Sequence, residues 1–80
     1  MVNVNVLFFG QTAEIVGRRE LEIPLEIQTK ANEVFAKITE EYPQLKDNKL
    51  LFAVNQEYAN GEELLQNGDE LAVFTAVSGG

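Results

Sequence analysis

Apolar residues occupy every second position from Val2 to Phe8, which places Val2, Val4, Val6 and Phe8 on one face of a strand. Asn3, Asn5, Leu7 and Phe9 fall on the other face, which begins polar and ends apolar. The stretch GQTAEIVGRR, bounded by Gly10 and Gly17, reads as a loop with one helical turn at Thr12–Val16. Alternation resumes in ELEIPL, with Leu21 and Ile23 on one side and Glu20 and Glu22 on the other. Residues 19–24 are therefore expected to form a second strand, antiparallel to the first. Pro24 cannot donate to a ladder, which assigns this strand to a sheet edge or a strand end.

The period changes in TKANEVFAKITEEYPQL. Ala31, Val34, Phe35, Ile38, Tyr42 and Leu45 recur at helical spacing and form one buried stripe. Thr29 has the chemistry of an N-cap, Glu33 and Lys37 have i,i+4 spacing, and Pro43 should end the helix near Tyr42. KLLFAVNQEY reads as a third strand whose continuous apolar run does not assign Leu51 or Phe52 to the core side. ANGEELLQNGDEL carries two turn signals, Asn60-Gly61 and Asn67-Gly68, with Leu64 and Leu65 between them as a short helical turn pinned to the core. In DELAVFTAV, Leu71 and Val73 share one face of a last strand, and Ala72 and Phe74 share the other.

One amphipathic helix supplies one apolar stripe, so it is expected to cover one face of a mixed sheet, with the first and last strands adjacent at its centre. The predicted fold is α+β, a β-grasp (ubiquitin-like) domain with a mixed sheet of 4–5 strands and one main helix. Residues 1–75 are expected to form this domain, and residues 76–80 a flexible Gly-Gly tail.

Composition narrows the chemistry. The 80 residues contain neither cysteine nor histidine. Cysteine-based zinc or iron–sulfur sites, a disulfide framework, a cysteine nucleophile and a histidine general base are thereby excluded. The net charge of −7 disfavours nucleic acid, whose phosphates would be repelled, and favours steering toward a basic protein surface. The acidic pairs Glu40-Glu41 and Glu62-Glu63 read as solvated surface, so no metal site is expected. GQTAEIVG lacks the lysine and spacing of a phosphate-binding loop. The start MVNVNVLFFG has no signal-peptide pattern, and no apolar run approaches membrane-spanning length. A cytoplasmic protein without a membrane partner is expected.

With few reactive side chains available, the ending Val77-Ser78-Gly79-Gly80 becomes the candidate reactive segment. Glycines can pass a channel too narrow for other residues, and they leave the terminal carboxylate unhindered. Leu7, Phe9 and Phe74 are expected on the sheet face turned away from the helix, at the root of this tail. An exposed apolar patch there suggests docking to another protein.

VLFFGQTAEIVG, FAVNQEY, NGDELAVF and the final VSGG resemble the small subunit of molybdopterin synthase, the MoaD family of ubiquitin-like sulfur carriers. The resemblance runs over the whole chain and is firmest at both ends. It implies that the carboxylate of Gly80 is adenylated with ATP by an E1-like (MoeB-like) adenylating enzyme. A sulfur donor then converts it to a thiocarboxylate. The tail Val77, Ser78, Gly79 and Gly80 would enter a molybdopterin synthase large subunit (MoaE-like). There it would donate sulfur to cyclic pyranopterin monophosphate and form the molybdopterin dithiolene. The complex implied is a heterotetramer, in which this chain binds no cofactor and is not an enzyme on its own. Phe9, Tyr58 and Phe74 match docking positions of the family. Thr75-Ala76 stands where family members often carry Pro-Pro, which should raise the ordering entropy of tail insertion. Sulfur transfer for thiamine, a tungsten cofactor or tRNA thiolation is the alternative within carriers. A ubiquitin-like protein modifier is the alternative outside them.

Overall fold

The computed structural model describes residues 2–47 and 49–75. Strand β1 (Val2–Phe8) is followed by a short helix α1 (Gln11–Val16), strand β2 (Glu20–Leu25) and the main helix α2 (Ala31–Glu41). A 3-10 turn (Pro43–Asp47) leads to β3 (Leu50–Val54), β4 (Glu57–Tyr58) and β5 (Glu70–Thr75). The sheet order is β2-β1-β5-β3-β4. β1 and β5 run parallel at the centre, and the remaining pairings are antiparallel. This is the β-grasp arrangement expected from the sequence. Pro24 is tolerated because β2 is an edge strand with a neighbour on one side.

The core lies between the sheet and α2. Val4, Val6 and Phe8 of β1, Leu71 and Val73 of β5, and Ala31, Val34 and Ile38 of α2 are buried together. Register explains why alternation was legible here: Val6 lies between Leu21 of β2 and Leu71 of β5, so all three side chains point to the helix. In β3, Phe52 faces the helix, its ring stacked on Phe35 at 4.6 Å between centroids. Leu51 therefore points to the opposite face.

Several local expectations are corrected. The run expected as one strand through Tyr58 folds back on itself at Asn55 and Gln56, whose φ values are 50° and 70°. Positive φ at both central residues is the geometry of a two-residue hairpin, and it creates β4. Asn67-Gly68 does form a turn, closed by the Asp69 amide donating to the Gln66 carbonyl at 3.0 Å. Leu64 and Leu65 form no helical turn. They run extended beside Thr29–Ala31, with Leu64 bridged to Lys30 and the Leu65 amide donating to the Thr29 carbonyl at 2.9 Å. Extended backbone alternates its side chains, so Leu65 is buried while Leu64 is exposed. Thr29 does not cap α2. The N-cap is Lys30 without a side-chain cap bond, and the Thr29 hydroxyl donates to Ile27 instead. Glu33 and Lys37 make no ion pair, whereas the Lys30 ammonium meets Glu62 at 2.8 Å. Among the described residues, no helix is long and apolar enough to cross a membrane.

Candidate functional site

The sheet face away from α2 is built by the residues that alternate with the core-facing ones along each strand. Leu7, Ala72, Ala53 and Tyr58 are consecutive register partners across β1, β5, β3 and β4. They form one row of side chains. Phe74 and Leu51 are partners in the next row toward the end of β5. Phe9 lies one residue past β1, and its amide donates to the Val73 carbonyl at 3.1 Å, which keeps it beside β5. The two central positions of the first row, between Leu7 and Tyr58, are both alanine.

Large apolar side chains stay in water here. Tyr58 is 82% exposed, Phe9 52% and Leu51 36%. The rings of Tyr58 and Phe74 meet at 6.1 Å with a 56° tilt. An open groove of about 690 Å³ continues the patch around Phe9, between Leu7, Ala13 and Arg19. The border is polar and largely acidic: Glu20 and Glu22 of β2 pair with Leu7 and Asn5, and Asn5 pairs with Glu70. An apolar centre with a charged rim is the anatomy of a protein-binding face.

Leu7, Phe9, Tyr58 and Phe74, named from the sequence, thus share one face. The hairpin at Asn55-Gln56 is what brings Tyr58 onto Phe74. Alternation puts Ala72 on the Phe74 face, but Ala72, Ala53 and Leu51 are not site candidates from the sequence, and the signal for Leu51 is hidden in an unbroken apolar run. Val77, Ser78, Gly79 and Gly80 lie outside the described residues. The last described position, Thr75, ends β5 directly beyond Phe74.

The groups with clearly shifted titration lie elsewhere, in the seam between residues 29–31 and 60–65. A hydrogen bond and charge attraction from Glu62 raise Lys30, and backbone amides, first that of Asn60, lower Glu63. Among the described residues, no group of three or more His, Cys, Asp or Glu side chains could hold a metal ion. The outer face carries the exposed apolar side chains of Phe9, Leu51 and Tyr58, area that a partner could cover.

The sequence model of the ThiS family matches residues 6–80. This chain belongs to the ThiS family. This ThiS-family chain is 41% identical over 85 aligned residues to the molybdopterin synthase sulfur carrier subunit of Homo sapiens, covering 100% of this chain and 97% of that protein. A solved structure from Pyrococcus furiosus, assigned to molybdopterin converting factor subunit 1, superposes with a TM-score of 0.86 at 25% identity, covering 96% of this chain and 100% of the other. A Helicobacter pylori structure gives a TM-score of 0.71 at 26% identity, with 99% and 100% covered. It is a complex of subunits 1 and 2 of the molybdopterin-converting factor.

Proposed function

We propose that this chain is the sulfur carrier subunit of a molybdopterin synthase, acting in the cytoplasm and non-catalytic by itself. The observation that carries this reading is the full-length similarity, 41% identical, to a protein of that function. The apolar outer face at the root of the tail supports it.

In this reading Gly80 is the reactive residue. Its carboxylate attacks ATP on a MoeB-like activating enzyme, giving an acyl-adenylate and pyrophosphate. The outer sulfur of a persulfide donor displaces AMP to give an acyl disulfide, and a thiol then cleaves its S–S bond, leaving the thiocarboxylate on the chain and a disulfide on the donor side. The thiocarboxylate is ionised at neutral pH and strongly nucleophilic, for the reason that a thiolate attacks where a thiol does not. No cysteine is needed because the sulfur is added to the chain terminus. Leu7, Phe9, Tyr58 and Phe74, joined by Leu51, dock on the large subunit. The acidic rim of Glu20, Glu22 and Glu70 meets basic groups around the partner's apolar surface. Fully extended, residues 76–80 span roughly 16–18 Å, enough to deliver Gly80 into a buried site. Two such sulfurs, delivered in sequence, build the dithiolene on cyclic pyranopterin monophosphate.

Incubation with ATP, the cognate activating enzyme and a sulfur donor should replace one oxygen of the chain by sulfur, read by intact mass and placed at Gly80 by fragmentation. A chain lacking Gly79 and Gly80 should keep its fold and lose the exchange. An unmodified mass with a proven cognate enzyme refutes the reading. Isopeptide conjugates on lysines of many proteins would establish a modifier instead.

A further inference from the structure

Thr12 stands apart chemically. Among the described residues it is the buried side chain that is polar. Its hydroxyl oxygen lies 2.7 Å from the Phe9 carbonyl and 3.0 Å from the Val73 carbonyl. Its amide donates to the Phe9 carbonyl at 3.2 Å, and the Phe9 amide donates to Val73 at 3.1 Å. The hydroxyl has one proton, so it is shared between two backbone acceptors from separate elements. These contacts knot α1, the end of β1 and β5 together.

What the knot holds is the docking face. Phe9 carries an exposed ring, and Val73 directly precedes Phe74. The chain turns at Gly10, with φ 58° and ψ −129°, a region that glycine enters without strain. α1 has six residues and no side-chain cap at its start, too little to hold itself in place. The Thr12 hydroxyl therefore reinforces an attachment to β5 that the Phe9 amide makes by one bond to Val73.

We propose that Thr12 is a positioning residue for partner docking: its hydroxyl fixes the backbone of Phe9 against Val73 and so sets the spacing of the Phe9 and Phe74 rings. The docking half of this proposal rests on the function proposed above. Valine has nearly the same shape as threonine without the hydroxyl. In Thr12→Val both carbonyls keep a backbone donor, the Thr12-position amide for Phe9 and the Phe9 amide for Val73. No buried acceptor is orphaned, so the fold should survive while the corner loosens.

Amide hydrogen exchange on the full chain decides the structural half without any partner. In Thr12→Val the Phe9 amide should exchange about tenfold faster than the global opening seen at Val6 accounts for. Thr12→Ser, which keeps the hydroxyl, should return it to within about twofold of the parent. Calorimetric titration with the large subunit decides the docking half. Thr12→Val should weaken binding about fivefold, Thr12→Ser should restore it, and Thr12→Val added to Phe9→Ala should cost less than about twofold more, because the two act as a unit. Exchange at Phe9 that follows Val6, a serine variant that restores nothing, or effects of Thr12→Val and Phe9→Ala that simply multiply would each overturn the proposal. A parent chain that fails to bind the large subunit refutes the proposed function, and the exchange result then stands by itself on Thr12.

Discussion

Tyr58→Ala separates a docking role from a structural one. Tyr58 sits on the two-residue strand β4 and is 82% exposed, so truncating it removes little area buried on folding. Its ring contact is the tilted one with Phe74 at 6.1 Å. Aromatic pairs add about 0.5–1.5 kcal/mol when packed, and this one is largely in water, so a loss near the low end, about 0.5 kcal/mol, is expected. At an interface the same ring is of the residue type most often found as a hot spot, where truncation costs about 2 kcal/mol or more. At 1.4 kcal/mol per decade, that is a rise in Kd of about 30-fold. Urea unfolding and calorimetric titration with the large subunit, run on the same preparation, give both numbers. The expected result is a nearly unchanged unfolding midpoint with a much weaker complex. Affinity within about twofold of the parent would refute the placement of Tyr58 at the interface. A large loss of stability with proportionate loss of binding would refute the argument from exposure.

Three further outcomes follow from the geometry. Gln56 holds a φ of 70°, where a side chain costs about 1–2 kcal/mol and glycine returns about 0.5–1 of that in chain entropy, so Gln56→Gly should stabilise by about 0.5–1 kcal/mol in urea unfolding. Leu65→Ala should cost about 2–5 kcal/mol, because the side chain is fully buried, while Leu64→Ala stays within about 0.5 kcal/mol; equal effects would contradict the extended seam. Backbone amides of Asn60, Glu63 itself and Gly61 hold the Glu63 carboxylate below its ordinary 4.5, so its stabilisation is present above that value and is lost as pH falls below it. The stability gap between the parent and Glu63→Gln should therefore shrink on acidification, and a gap that widens would show the opposite sign.

Sequence patterning carried the architecture. Where a strand has one face on the core, a period of two is imposed on its residues, and β1 and β5 display it without ambiguity. The helical stripe from Ala31 to Ile38 follows the same logic at a period of 3.6, Pro43 marks the end of the helix for a steric reason, and Leu45 is buried from the 3-10 turn beyond it. The apolar turn of the second face at Leu7 and Phe9 was equally legible, because an apolar residue on the solvent side breaks the alternation. Less legible were the places where tertiary contact overrides local preference. The Asn55-Gln56 hairpin lacks the glycine that usually announces one. Its Asn55 is held by hydrogen bonds to Asp69 and Glu70, residues distant in the chain. Leu64 and Leu65 looked helical by composition, yet the exposed backbone beside Lys30 offered them a ladder instead.

The sequence by itself determined β1, β2, α2 and β5, the side of β1 and β5 that faces the helix, and the absence of cysteine and histidine chemistry, because these depend on residue type and short spacing. Only the tertiary structure decided which side chains meet across those elements. It set Leu51 and Tyr58 beside Phe74, placed two alanines between Leu7 and Tyr58, and brought the Thr12 hydroxyl between Phe9 and Val73, residues 64 positions apart by their numbers in the chain. Those neighbours come from strand register and from hydrogen bonds across the fold, and neither is a property of any short stretch of sequence.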